Sequence, residues 1–269
     1  MSDGKTSRGR RLRRTVAGGG LSLLAGLWPL LAGAAPGTQP AGGWRLGVAE
    51  VPAAPVPGAK PRTPVRIEVL AAAAVDSGAP VRAVALDQAV EQLRGGELDA
   101  WIGVVPDDAA VPEDVRRSTL DWSASPLAIL RTDTDIHEWP ALAGRTVCLS
   151  ADGRYVGELS ARFAAIEQVY PSATDALLAL RTGQCDAAVE DEGFLRELLK
   201  YPEWRKFSAQ LAPYRTGVLT QLRRPDLPDA GRQALQKALA PASLRRRAAE
   251  QAKAIAFEVY LDQTVPDCH

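Results

Sequence analysis

Two rhythms of apolar and polar residues alternate along this chain, and they recur in the same order. Short apolar runs (WRLGVAEV, VRAVAL, AWIGVV, SPLAILRT, TVCLS, IEQVY and YRTGVLTQL) read as strands or extended stretches. The segments VRIEVLAAAAVDSG, ALDQAVEQL, SATDALLAL, EGFLRELLKYPEW, LPDAGRQALQKALA and ASLRRRAAEQAKAIAFEVY have helical spacing or composition. One string occurs twice, as LRGGELDA at 93–100 and LRTGQCDA at 180–187. Each copy closes a helix and opens an apolar run. Gly96 and Gly183 fall where the helix stops, because glycine enters the left-handed conformation that closes a C-terminus without Cβ strain. A strand precedes each helix, so the unit is strand, helix, glycine stop, strand, which is a parallel βαβ element. Two such units predict an α/β chain of two lobes, each an open, mostly parallel sheet flanked by helices. Function in such sheets lies at the carboxyl ends of the strands, here Gly103 to Val105 in the first copy and Glu190-Asp191 in the second.

The expected organisation follows from where these runs stop. Residues 1–35 combine a basic start with an apolar stretch and the small residues Ala32-Gly33-Ala34, which reads as a secretory signal peptide and places the mature protein in the periplasm. An uncleaved anchor is the alternative, weakened by Gly18 to Gly20 and Pro29. The pairs Arg10-Arg11 and Arg13-Arg14 hint at twin-arginine export without its fuller pattern. Residues 36–43 read as linker, 44–131 with 216–269 as lobe 1, and 132–215 as lobe 2. A chain that leaves one lobe and returns crosses twice, and two crossings make a hinge with a cleft that can close on a small molecule. VPDDAAVPEDVRRSTLDW, with two prolines and five acids, reads as a long loop at a strand end.

Charge changes the picture once the export segment is set apart. The whole chain balances 32 basic against 32 acidic residues; without residues 1–35 it carries 26 against 31. An acidic mature chain offers no basic face for nucleic acid. Three cysteines lie in the mature part, and Cys148 in TVCLS and Cys185 in CDAAV fall in runs that neighbouring strands of lobe 2 would bring together. A bond between them would close a loop of about 38 residues and contribute roughly 3–4 kcal/mol; two buried free thiols are the alternative. Cys268 with His269 makes no metal site, and no metal or cofactor is expected. His137 and His269 are the only histidines, which argues against a Ser-His-Asp hydrolase.

Residues 45 to 257 resemble extracellular solute-binding protein family 3, the type II periplasmic binding proteins of polar amino acid ABC importers. The resemblance rests on WRLGVAEV, LRGGELDAWIGVV, DWSASPLAILRTDTDIHEWPALAGRTVCLSADG and LRTGQCDAAVEDEGFL. It implies the two-lobed type II fold with a two-crossing hinge, a small polar or zwitterionic solute in the cleft, an ABC permease in the inner membrane as partner, and a monomer. Some amino-acid-binding members carry a cysteine pair at positions like Cys148 and Cys185. Carried over, the family's ligand arginine, five residues before the Asp of Asp121-Trp122-Ser123, is Arg116, which would clamp a carboxylate. Its amine-binding carboxylate is Asp191. Asp191 could equally cap the helix EGFLRELL, and Arg116 could be a solvated loop cation.

The chain departs from the family pattern at three places. The helix start that usually reads Gly-Thr-Thr is Asp152-Gly153-Arg154-Tyr155, where Arg154 could still attract an anion. VPAAPV replaces the aromatic shelf after the first strand, and no Pro-Tyr-Tyr follows the turn. Tyr155, Trp101 or Trp122 could substitute as apolar plates, although the two tryptophans fit the core better. The expected ligand set is therefore Arg116, Asp191, Arg154, Tyr155 and Gly103. A periplasmic enzyme on the same scaffold, resembling cyclohexadienyl dehydratase with Glu190 or Asp191 as acid, is an alternative. A signalling or accessory module that keeps the fold without amino acid affinity is another.

Overall fold

The computed structural model describes residues 43–50, 58–106 and 109–264, and in it the two repeated units build two five-stranded sheets. The first joins β1 (Leu46–Ala49), β2 (Arg82–Val84), β3 (Ala100–Val104), β4 (Arg116–Ser123) and β10 (Val218–Arg223) in the order β2-β1-β3-β10-β4. The second joins β5 (Pro126–Leu130), β6 (Thr146–Ser150), β7 (Ile166–Tyr170), β8 (Ala187–Asp191) and β9 (Ala209–Leu211) in the order β7-β6-β8-β5-β9. The two orders match position by position. In each sheet four strands run one way and one, β10 or β5, runs against them. That reversed strand is the first one after each passage between the lobes. The two-lobed α/β architecture expected from the repeat is therefore present, with two crossings.

Two expectations about the chain's path need correction. β5 hydrogen-bonds to β8 and β9, so the passage to the second lobe falls at Ala124-Ser125, ahead of the 131/132 boundary. All five residues of β5 are buried, as a strand covered on both faces requires, and nothing in so uniform a run says which sheet holds it. The second half of the acidic segment is not loop but β4, an edge strand whose first four residues are exposed. Polar residues suit such an edge, where they discourage pairing with another chain.

Among the described residues seven α-helices flank the sheets: α1 (Ile67–Ala73), α2 (Leu86–Gly95), α3 (Glu158–Phe163), α4 (Ala173–Arg181), α5 (Glu192–Leu198), α6 (Asp229–Ala238) and α7 (Pro241–Asp262). Gly96 and Gly183 have φ of 73° and 76°, the left-handed stop expected of them. α7 buries Leu244, Ala248, Gln251, Ala252, Ile255, Ala256 and Val259, a stripe at helical spacing. Its neighbours come from both lobes: α1 and α6 of the first, α4 and α5 of the second. One apolar core consequently runs from Trp44 and Ile67 through Ile255 to Leu177 and Phe194. The export segment, the run VPAAPV, Cys268 and His269 lie outside the described residues.

Candidate functional site

The passages between the lobes lie beside the ends of β3 and β8. Val104 at the end of β3 pairs with Leu219, and Asp191 at the end of β8 pairs with Pro126. The two crossing segments touch: Ala124 donates its N–H to the Gly217 carbonyl at 2.8 Å, and Gly217 donates to Ser125 Oγ at 3.0 Å. A Cβ on Gly217 would sit 2.8 Å from the Ala124 carbonyl carbon, so this approach requires glycine.

Charged side chains converge here from both lobes. β8 supplies Glu190 and Asp191, and the loop after β6 supplies Asp152, Arg154 and Tyr155, while Arg66 and Glu68 at the start of α1 come from the first lobe. Arg154 is the hub. Its Nε donates to both Asp191 oxygens at 3.1 Å and its Nη2 to Glu68 Oε2 at 2.6 Å, so one guanidinium bridges a carboxylate from each lobe. Tyr155 donates its hydroxyl to Asp191 Oδ1 at 2.7 Å and to the Ala124 carbonyl at 2.9 Å. Glu68, with no exposed surface, has its other oxygen 3.5 Å from Arg66 Nη1. Arg66 in turn donates to the Ala49 carbonyl at 2.7 Å.

The electrostatics follow from enclosure. Burial works against the Arg154 charge, but Asp191 and Glu68 outweigh it and raise its pKa. Burial and the adjacent Asp191 push the Tyr155 phenol well above its ordinary value, which keeps it a neutral donor. Glu190, also enclosed, is driven well above the carboxylate range by burial, against the opposing hydrogen bond from Ser150, and by the neighbouring charges of Asp152 and Asp191. Asp152 moves the same way through burial, although the Val65 N–H, at 3.4 Å, opposes it. Gly153 belongs to this arrangement, since a Cβ there would lie 2.6 Å from Ser150 Oγ and 3.3 Å from Glu190. Among the described residues no group of three or more His, Cys, Asp or Glu is arranged to hold a metal ion.

Of the five residues expected to contact a ligand, three meet in this cluster: Asp191, Arg154 and Tyr155. Arg116 does not join them. It opens β4 opposite Arg223, while the charged cluster lies at the Ser123 end, seven residues and roughly 23 Å along the strand. The longer preceding segment, read as loop, continues as strand and carries Arg116 to the far edge. Gly103 stands at the cleft end of β3, but its missing Cβ is accounted for by packing: the atom would lie 2.6 Å from Ala49 Cβ and against the Trp101 ring. Trp101 and Trp122 are buried, as their apolar flanks suggested. Glu68, Arg66 and Asp152 were missed as partners. Glu68 sits in an apolar helix where its only sequence signal is to be the one acid among apolar residues.

Cys148 and Cys185 form a disulfide, so the open alternative of two free thiols is resolved in favour of the bond. A second set of contacts ties the lobes behind the cleft. Glu258 of α7 accepts from Thr63 N–H and Oγ1 of the first lobe at 3.2 and 2.7 Å and from Thr174 of the second at 2.5 Å. Arg62 pairs with Asp175 of α4 at 3.1 Å and with Asp262 of α7.

Comparison with known proteins finds no matching family model and no matching curated protein. Solved structures do align along most of the chain. The GluR0 ligand-binding core in complex with L-glutamate is 16% identical, covering 78% of this chain and 96% of that one at a TM-score of 0.46. The substrate-binding protein of an amino acid ABC transporter is 17% identical, covering 81% and 96% at 0.42. Holo ArgBP from T. maritima is 16% identical, covering 76% and 93% at 0.41.

Proposed function

We propose that this protein is a periplasmic solute-binding module whose interlobe cleft captures a small polar solute through a cationic group, an amine or guanidinium, held by Asp191. The carrying observation is the cation already there: the Arg154 guanidinium sits between Asp191 and Glu68, so the cluster holds a positive charge at the point where both lobes meet. A solute would take that place as Arg154 leaves it. The loop bearing Arg154 runs between Gly153 and Gly157, the latter at φ 84°, a conformation that favours glycine. Delivery to an ABC permease of the inner membrane, by a monomer, completes this reading.

The test is a thermal-shift screen of residues 36–269 against amino acids, polyamines and organic acids, run on the wild type and on Arg154→Met. Amine-bearing solutes should raise the melting temperature by linkage, and more in the variant, whose site has lost its internal competitor. Asp191→Asn should abolish the rise. If no amine-bearing compound shifts either protein, the reading fails.

A second reading has its own observation. Because α7 is tied to both lobes through Glu258, the cleft can remain shut on Arg154, as an accessory or signalling module would require. Small-angle scattering separates the two. A radius of gyration larger in Arg154→Met than in the wild type, and reduced again by solute, supports a working hinge; identical values in all three states support the permanently closed module.

A further inference from the structure

Outside the cleft, the edge of the first sheet carries arginines without counter-charges. Arg116 on β4 and Arg223 on β10 are direct cross-strand partners in an antiparallel pair, and like charges placed opposite one another destabilise a sheet. Among the described residues neither has a carboxylate within ion-pair distance, and Arg223 Nη1 finds only the Arg224 carbonyl, at 3.3 Å. Strand alternation puts Arg116, Ser118 and Leu120 on one face, the face that Gln221 and Arg223 share.

That face opens into a groove of about 460 Å³ between the sheet and the α6–α7 turn. From α6, Arg232 and Gln236 enter it one turn apart. Gln221 lines its floor and is about nine-tenths buried, yet among the described residues no hydrogen bond engages its side-chain amide. Arg232 is ion-paired with Asp229 and donates Nη1 to the Leu227 carbonyl, so the excess positive charge of the groove comes from Arg223, which no carboxylate offsets among the described residues. Leu120, Leu239 and Pro241 supply an apolar wall, and the groove borders the start of the 22-residue helix α7, whose dipole adds to the positive potential.

We propose that this groove is a second binding site, separate from the cleft, for a small organic anion: a carboxylate or phosphate on a short apolar body. The anionic group takes Arg223 and Arg232 with Arg116 at the rim, Gln221 and Ser118 supply neutral hydrogen bonds, and the apolar body lies along Leu120 and Leu239. Binding removes the repulsion between Arg116 and Arg223. The site is therefore occupied by an anion rather than by a neutral or cationic solute, the opposite of the acidic cleft.

The experiment is a thermal melt of residues 36–269 in sodium chloride, sodium phosphate or sodium succinate at equal ionic strength. Phosphate or succinate should raise the midpoint by about 2–4 °C over chloride, and Arg223→Gln should erase that difference. Protection by phosphate alone identifies a phosphate ligand, and by succinate alone a carboxylate; either supports the site. Arg116→Gln gives an independent reading: in low salt without added anion it should melt higher than the wild type, because the facing cations are relieved, and it should gain less from the anion. Equal midpoints in all three salts, or a gain that survives Arg223→Gln, overturn the proposal. So does an Arg116→Gln protein that melts lower in low salt.

Discussion

Placed side by side, the two copies of Leu-Arg-x-Gly-x-x-Asp-Ala do the same structural work and then deliver different chemistry. In the first, Asp99 Oδ2 accepts the Arg45 N–H at 2.7 Å; in the second, Asp186 Oδ2 accepts the Thr146 N–H at 2.9 Å. Each aspartate thus pins the neighbouring parallel strand at its start, and Leu46 and Val147 pair with Ala100 and Ala187 in equivalent registers. Both glycine stops close alike, with Glu97 N–H on the Gln92 carbonyl at 2.8 Å and Gln184 N–H on the Ala179 carbonyl at 2.9 Å. Divergence begins one residue before the aspartate. Leu98 packs over Gly47 in the first lobe, where the equivalent Cys185 and Cys148 are bonded in the second. At the strand ends the first copy finishes in Gly103-Val104 under Trp101, the second in the enclosed Glu190-Asp191. The motif encodes strand docking, and the chemistry is set by what each strand carries beyond it.

The largest break in this comparison should come from Arg154→Met. It leaves Asp191 and Glu68 buried without their shared cation, a loss of about 3–5 kcal/mol when one partner of an enclosed pair is removed. Urea titration at neutral pH measures it. A loss below about 1 kcal/mol would mean the cluster relaxes into water and is not enclosed as described.

Next in size is the disulfide. Cys148→Ala with Cys185→Ala should cost about 3–4 kcal/mol on the chain-entropy account of a 37-residue separation. An equal urea midpoint for oxidised wild type and the double variant would show that the second lobe needs the bond no more than the first does.

Glu190 gives the second copy a pH dependence absent at its counterpart Gly103. Its folded pKa is raised, so the neutral acid is the stable folded form. That contribution is complete below the ordinary glutamate value of about 4.5 and is lost as pH rises from there through the raised folded value, at about 1.4 kcal/mol for each pH unit between the two. Glu190→Gln, neutral throughout, should flatten the fall of melting temperature as pH rises above the ordinary glutamate range. A parallel fall in both proteins would assign the dependence to other groups.

The shared pins should differ in degree. The Asp99 side chain is 8% exposed against 38% for Asp186. Asp99→Ala strands the Arg45 N–H away from water and should cost about 1–3 kcal/mol, whereas Asp186→Ala should cost about 0.5–1.5 kcal/mol. The reverse ranking would overturn the equivalence of their roles.

What was legible from residues alone tracks how local each signal is. The helix stops at Gly96 and Gly183, the βαβ units and the doubled lobe are written in short-range pattern, and Asp191 follows from its position after the second motif. Arg116 misled because its role depended on where a polar segment stops being loop, and an edge strand carries no apolar alternation to mark that point. Glu68 and Arg66 could not be paired with Arg154 from sequence, since they come together only when the lobes meet across 86 residues of chain. The same holds for Arg223 facing Arg116.

The finest test of equivalence exchanges the filling between lobes. A Cβ on Gly47 would lie 3.0 Å from the Leu98 side chain, the place occupied in the second lobe by the Cys148–Cys185 bond. Gly47→Cys with Leu98→Cys should therefore cross-link under mild oxidant. The gain of about 4 kcal/mol from closing that loop offsets the roughly 2–5 kcal/mol lost with the buried leucine, so net stability should stay within about 1–2 kcal/mol of the parent. Free-thiol titration reads the cross-link, and the oxidised variant should melt above its own reduced form. If the thiols stay free, the lobes correspond in hydrogen bonding but not in Cβ placement, and the disulfide of the second lobe reflects a strand spacing of its own.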